Sequence, residues 1–531
     1  MGSNRNHIHK CAGGCCGHEV EKVPMTATAE GIGGVSRRNF LMGLGTAAVG
    51  AWALQGCATT PSAVHRIHNN QLPPTRTLTV QPVLVCSTYS HRDKTSWRPW
   101  GGIQTDADIE QEKKRIDREL AAMAAKAEFS VSILPVAEAR NADQAKAIAA
   151  GNFDTTLIYA AGSGGGALDP LVGTNRPSIM FLRHRSGPVY LWYEIVHPRF
   201  LRKTVDEYGQ PGMDVHDVVV DEYDDVLWRL RALYGLKNAC GERIIAIGDA
   251  SGWGQGGRNA PDLAREKWHM EIIPVSYDDL GKRFQNAMAD EKRMARCRDE
   301  AAAYMQQQGI TLETKPEFVE RCMVVTDVFK ELMAEANVRA ITVNNCMGTI
   351  MRVTETTACL PLSILNDEGY MAFCESDFVV IPSGVLLHHI SGLPVFLNDP
   401  TTPHHGCVTL AHCTAPRKLD GRAYEKTRVM THFESDYGAS PKVEMTNGRT
   451  VTVIDPDFAE KRWMGFRGKT IETPFMDICR AQVDVEIEGD WVKLLEEMRG
   501  FHWMMSYGDY LKETGYALKK AGIEWVDVTN G

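Results

Sequence analysis

Over the first two thirds of the body of the chain, short and nearly unbroken apolar runs are separated by stretches of helical spacing. "TLTVQPVLVCS", "FSVSILP", "DTTLIYAAG" and "SIMFLRH" predict strands buried on both faces. Amphipathic patterns from Asp106 to Glu128 and from Asp143 to Ala150 predict the helices between them. Strands that alternate with helices imply a parallel sheet covered on both faces. The pattern restarts after Gly187, with a helix from Asp221 to Leu236, the strand "ERIIAIGD", a helix from Pro261 to Trp268 and the strand "MEIIPVS". Long helical patterns then run through Ala336 to the strand "RAITVN". The last third changes character: "TRVMTHFES", "PKVEMTNGRTVTVID" and "CRAQVDVEIEG" alternate apolar with polar positions between turn residues, as antiparallel or barrel-like strands do. No period of about 20 to 50 residues repeats, which argues against a solenoid. The expected fold is α/β, with two doubly wound domains over 77–187 and 188–345. A C-terminal α+β domain over 346–531, with an antiparallel, barrel-like β part, completes it.

Ahead of this body, Phe40 to Leu54 is apolar but shorter than the roughly 20 residues a bilayer span needs, which suits the core of a signal peptide. Arg37-Arg38 followed by Asn39, Phe40 and Leu41 resembles a twin-arginine export signal. Leu54-Gln55-Gly56-Cys57 resembles a lipoprotein cleavage box. Together they imply a leader over 1–57 and a mature chain that touches the membrane only through a lipid on Cys57, outside the cytoplasmic membrane. A cytoplasmic location is the alternative. Pro61, Pro73 and Pro74 in a polar stretch mark 58–76 as a tether. "HIHKCAGGCCGHE", before the signal, offers Cys11, Cys15 and Cys16 among His7, His9 and His18 as soft ligands for zinc or copper. Its Gly-rich flanks supply no groups to orient them, and a discarded leader is the preferred reading.

Charge narrows the partners. The 531 residues carry 67 acidic against 58 basic side chains, a net charge of -9, which argues against a nucleic-acid partner. The 14 cysteines show no repeated short spacing beyond the leader, so most read as small buried hydrophobes of a chain folded in a reducing compartment. That agrees with a pathway that exports folded cargo.

Two strands run into glycine-rich turns, "AAGSGGGALDP" and "GDASGWGQGG". In the second, Gly252, Gly254 and Gly257 satisfy the G-x-G-x-x-G spacing of a pyrophosphate turn before a helix. The acid such a site needs, about 20 residues on, falls on Asp278, beyond the next strand. The other reading of these glycines is a tight turn at the carboxyl edge of a sheet, where small residues allow close approach.

"GYMAFCESDFVVIPSGVLLHHISGLPVFLNDP" reads as strand, helix and strand, with Met371–Cys374 and Pro394–Leu397 as the strands and Phe378–Ile390 of helical length. Glu375 and Asp399 then stand at equivalent carboxyl ends, opening onto one sheet edge if the unit is a right-handed βαβ. Two such carboxylates can hold a hard divalent cation, and an added imidazole favours Mn²⁺ over Mg²⁺ or Ca²⁺. His502, in the Gly-flanked turn of "RGFHWMMSYGDY" after a helix Asp490–Met498, supplies that imidazole. Ser376 or Asp377 reads as a cap for the following helix. His412 reads as a lining residue of the same pocket or a satisfied core histidine, Arg480 as a partner of a sugar hydroxyl or of an acid, and Trp503 and Tyr507 as sugar-stacking aromatics or plain core, while His388-His389 and His404-His405 are expected at the surface.

These stretches, with "VTLAHCTAP", "THFES" and "CRAQ", resemble the carboxy-terminal domain of the L-fucose isomerase and L-arabinose isomerase group. The resemblance is dense from Cys346 to Asp509 and architectural over Thr77 to Asn345. It implies metal ligands at Glu375, Asp399 and His502, with Glu375 and Asp399 also catalytic. It further implies Mn²⁺ or another divalent cation, a sugar seated near Phe501, Trp503 and Ala481, and a homo-oligomer; Trp503, Arg480 and His412 are the substrate-binding candidates. Phe501 and Trp503 flank the histidine where the group commonly has Asn and His, and Ala481 stands where Thr is usual, so the metal site carries over better than the sugar. Three readings remain open: a metal-dependent aldose–ketose isomerase acting through an enediolate, a non-catalytic carbohydrate-binding lipoprotein, and an exported NAD(P)-dependent oxidoreductase.

Overall fold

The computed structural model describes residues 72–531 apart from 163–165, 173–175, 194–200 and 202–212. The leader with Arg37, Arg38 and Cys57, the Cys/His-rich segment and most of the tether lie outside the described residues.

Strands β1 (Leu78–Val85), β2 (Val131–Ile133), β3 (Ala137–Ala139), β4 (Thr155–Ala160), β5 (Ser178–Leu182) and β6 (Val218–Val220) form the first sheet. Helices α1 (Asp106–Ala124), α2 (Ala142–Ala149) and α3 (Leu168–Val172) connect them. Every pairing is parallel, in the order β2-β1-β4-β5-β6 with β3 also on β1. Leu78, Val80 and Leu84 of β1 enter one core and Val83 and Val85 another, which is why the strand reads as an unbroken apolar run.

α4 (Tyr223–Ala239) leads into β7 (Arg243–Ile247), α5 (Ala260–Lys267), β8 (Glu271–Val275), α6 (Tyr277–Ala289) and α7 (Glu291–Met305). β9 (Ile310–Leu312), α8 (Pro316–Ala336), β10 (Ala340–Val343), α9 (Met351–Thr354), α10 (Cys359–Asp367) and β11 (Met371–Cys374) follow. The second sheet is parallel in the order β8-β7-β10-β11.

α11 (Ile381–Ser391) crosses to β12 (Phe396–Pro400), β13 (Cys407–His412), β14 (Lys426–His432), β15 (Tyr437–Glu444), β16 (Thr450–Asp455), β17 (Arg462–Ile471) and β18 (Ala481–Glu488). α12 (Trp491–Glu497), β19 (Trp503–Tyr507), α13 (Leu511–Lys520) and β20 (Glu524–Asp527) end the chain. Strands β16-β19-β12-β13-β18-β17 pair antiparallel, and the β16–β17 ladder closes them into a six-stranded barrel. β20 adds to β17 in parallel, and the β14/β15 hairpin takes β9 as a third strand. The protein is thus mixed α/β, two parallel sheets followed by an antiparallel barrel.

Three expectations change. β6 pairs with β5 and β11 with β10, so strand pairing continues across residues 187 and 345, where domain boundaries were expected. β11 and β12 do not form one βαβ unit: β11 edges the second sheet, whereas β12 lies between β13 and β19 of the barrel. Every residue of α11 is buried, because the helix packs against α4, β11 and β19. His388 and His389 are therefore inside, paired with the Leu393 carbonyl at 2.9 Å and the Glu242 carboxylate at 2.8 Å. His404 and His405 lie in an exposed loop. Among the described residues no helix is long and apolar enough to cross a membrane.

Candidate metal centre

Strand alternation brings the first two polar side chains together. In β19, Trp503 and Met505 fill the barrel core while Met504 faces outward onto the core around α11, so His502, two residues before Met504, shares that outer face. In β12, Phe396 points inward and Leu397 outward, which puts Asp399 outside too. The antiparallel register pairs Leu397 with Met504 and Asn398 with Trp503, and one step further sets Asp399 opposite His502. Their Oδ1 and Nε2 atoms are 3.2 Å apart.

The second sheet supplies the third group. β11 runs into Glu375 and Ser376, just past its end, both left-handed with φ of 65° and 48°. Such conformations cost non-glycine residues on the order of 1–3 kcal/mol each, and neighbouring structure must hold them. Here the Ser376 N–H donates to Thr342 Oγ1 of β10 at 3.1 Å, and the Ser376 carbonyl accepts from the Ser251 N–H at 3.2 Å. The twist carries Glu375 toward the barrel, where its Oε2 lies 3.4 Å from His502 Nε2 and its Oε1 3.8 Å from His412 Nε2.

Asp377 fixes the imidazole. Its Oδ2 pairs with His502 Nδ1 at 2.7 Å, and its Oδ1 accepts from the Trp253 and Val379 N–H groups, each at 3.1 Å. A buried carboxylate on one ring nitrogen is the device that orients metal-binding histidines. The other nitrogen, Nε2, and Asp399 Oδ1 are both buried without an aligned hydrogen-bond partner. Two such atoms, aimed at each other and at a second carboxylate, suit a divalent cation better than a hydrogen bond. One atom each from Glu375, His412 and His502 also lie within 4.8 Å of one another, which makes His412 a further candidate ligand.

Burial alone pushes His502 down, but the carboxylates of Asp377, Asp399 and Glu375 outweigh it and raise the imidazole to about 12. Burial pushes Glu375 up, yet His502 and His412, with the Trp253 indole, hold its carboxyl at about 2. Three carboxylates thus converge on one imidazole and concentrate negative charge there.

The second glycine-rich turn closes over this centre. Ser251 bridges to Asp377, and Trp253 Nε1 donates to Glu375 Oε2 at 3.1 Å. A Cβ at Gly252 would meet the Gly257 carbonyl oxygen at 2.2 Å, so these glycines serve the loop's own close packing. Asp278 sits in the first turn of α6. The first glycine-rich turn lies partly outside the described residues. Ser251, Trp253, Asn344, Cys346, Met347 and Glu375 line a cleft of about 500 Å³ at the carboxyl ends of β7, β10 and β11. Phe501 stacks on Trp253 with ring centroids 4.0 Å apart, both about half exposed.

Trp503 is fully buried in the barrel core, edge-on to Phe466, and does not line the cleft. Arg480 donates from Nε to the Thr431 carbonyl at 2.8 Å and lies over Phe433. No ion pair among the described residues joins it to Glu375, Asp399 or His502. Tyr507 hydrogen-bonds Glu425 at 3.2 Å. Sequence reasoning misses Trp253 and takes Asp377 for a helix cap, although an acid two residues after Glu375 is a visible signal. No protein-family model matches the sequence, and no curated protein is significantly similar to it.

Proposed function

We propose that the protein is a metal-dependent aldose–ketose isomerase acting on an open-chain sugar through an enediolate. The observation that carries the proposal is the convergence of Glu375, Asp399 and His502 from two different sheets, with His502 Nε2 3.2 Å from Asp399 Oδ1 and 3.4 Å from Glu375 Oε2. Glu375, Asp399 and His502 would hold the cation, Mn²⁺ or a similar divalent ion, with His412 beside them. Bound there, the ion supplies Lewis acidity to two adjacent sugar oxygens and so acidifies the intervening C–H.

The chain's own groups then move protons. One carboxylate, of Glu375 or Asp399, takes the proton from C2 of the aldose and returns it to C1, while the other passes the O2 proton to O1. No atom is gained or lost, and C1 ends as an alcohol and C2 as a ketone. Asp377 holds His502 in one orientation throughout, and the Trp253 indole N–H fixes the Glu375 carboxylate. The stacked Trp253 and Phe501 offer an apolar wall for the C–H face of the sugar.

The test is metal analysis of the purified chain, then an aldose panel with and without added Mn²⁺. Mn²⁺-dependent ketose formation is expected, reduced about 100-fold or more by Glu375→Gln at unchanged stability. Sugar binding without turnover would instead favour the carbohydrate-binding lipoprotein.

The strand orders of both parallel sheets suit doubly wound domains, whose ligands sit beyond the carboxyl ends of the strands. The leader completes the proposal: twin-arginine export, a lipid on Cys57 and a homo-oligomer outside the cytoplasmic membrane. Export by this route lets the metal be loaded before transport. Replacing Arg37 and Arg38 with Lys is expected to retain the protein inside the cell, read by fractionation.

A further inference from the structure

Beside the carboxylate cluster, the same region buries a set of soft ligands that the proposed reaction does not use. Cys359 opens α10, Cys374 ends β11, Cys413 follows β13 and His432 ends β14. They are 3%, 1%, 4% and 3% exposed. One ligand atom each from Cys359, Cys413 and His432 lie within 4.8 Å of one another, and a second such group, Cys374, His412 and Cys413, shares Cys413. Cys413 Sγ lies within 4.8 Å of both Cys359 Sγ and Cys374 Sγ, and 3.7 Å from His412 Nδ1. Cys374 Sγ is also 3.4 Å from Cys346 Sγ, and all of these cysteines are free. A core cysteine acting as a small hydrophobe needs only apolar neighbours. Here thiols from separate elements face one another and two imidazoles.

We propose that Cys359, Cys413 and His432, with Cys374 closing the fourth position, bind a thiophilic closed-shell cation, Zn²⁺ or Cu⁺, as a second metal centre. Two thiolates on a tetrahedral ion, each about 2.3 Å from it, stand about 3.8 Å apart. The ligand atoms of Cys359, Cys413 and His432, already within 4.8 Å of one another, close on such an ion through shifts of about 1 Å, and Cys374 approaches from the side of Cys413. His432 Nδ1 lies 3.3 Å from Ser435 Oγ, the kind of contact that orients a ligating imidazole through its other nitrogen. On binding, each cysteine releases its S–H proton to solvent and donates a sulfur lone pair to the ion, the imidazole binds neutral, and no electron is transferred. Thiolates select soft ions and the Glu375 and Asp399 oxygens hard ones, so neighbouring centres sort different metals.

The test uses the full chain, reduced and stripped of metal, titrated with Co²⁺ as the spectroscopic stand-in for Zn²⁺. In parallel, Cu⁺ is titrated anaerobically against a chromophoric chelator. A thiolate-to-cobalt charge-transfer band that Zn²⁺ bleaches, or one Cu⁺ retained against the chelator, is expected, and whichever ion holds assigns the occupant. The signal persists in a Glu375→Gln, Asp399→Asn double variant, which separates this centre from the proposed isomerase site. Affinity falls about 10–100-fold in His432→Gln, and the signal disappears in Cys413→Ser. Should Cys413→Ser not fold, the wild-type titration and His432→Gln decide. Neither a thiolate band nor retained Cu⁺ in the wild type, or full affinity in His432→Gln, overturns the proposal.

Discussion

Asp377 shows how much a single side chain can set. Its carboxylate divides its two oxygens between the His502 ring and two backbone N–H groups, one of them from the loop that carries Trp253. Asp377→Asn keeps the size and the backbone acceptor but removes the charge that stabilises the ring in its orientation. Mn²⁺ affinity is expected to fall about 10–100-fold with the fold intact, measured by titration calorimetry alongside circular dichroism. Unchanged affinity would show that His502 needs no such support. From the sequence, Glu375, Asp399 and His502 were legible as residue types at strand ends, but Asp377 read as a helix cap because caps and ligand-orienting acids use the same residue in the same place. Trp503 illustrates the opposite error. It neighbours His502 in sequence, yet period-two alternation sends it into the barrel, and only the direction of the face distinguishes the two.

At the scale of elements, the strands of the parallel sheets were readable because burial on both faces leaves continuous apolar runs. The barrel strands were readable by alternation. Partner choice was not: strand, helix and strand at the spacing of β11, α11 and β12 looks the same whether the last strand rejoins the sheet or starts a barrel. The helix between them makes the point energetically. α11 is buried on all sides and meets α4 where Gly235 faces Ile390, and a Cβ at Gly235 would come within 2.3 Å of Ile390 Cγ1. Gly235→Leu is therefore expected to destabilise the protein by about 1–3 kcal/mol through overpacking, seen as a lower urea midpoint at constant slope. A midpoint at or above wild type would mean that the two helices have room to part. The same all-round burial explains why the histidines of α11 were misplaced at the surface: their polarity is met by Leu393 and Glu242, which no local pattern reveals.

Across the whole molecule, polar groups are buried where the layers meet, and one of them ties stability to pH. Glu460, after β16, lies beneath Trp268 at the end of α5, whose indole N–H donates to it at 3.1 Å. Burial, with the charge of Asp457 beside it, pushes its carboxyl from the usual 4.5 up to about 8. The folded state therefore holds a proton that the unfolded chain releases. Its contribution is fully present below about pH 4.5 and is lost as pH rises through about 8. The slope in that window is about 1.4 kcal/mol per pH unit for one group. Glu460→Gln, neutral throughout, is expected to flatten this part of the profile in urea unfolding at pH 5 and pH 8, and an unaltered difference between the two pH values would count against it. A last consequence concerns time. His502 leads into β19, a strand that follows β12 by about a hundred residues yet sits between β16 and β12 in the barrel. At about 5–20 residues per second, the ribosome takes roughly 5–20 s to travel from Asp399 to His502. During that interval both carboxylates exist and the imidazole does not. The cluster is thus a stamp of translation having passed His502, withheld from any chain that stalls before it.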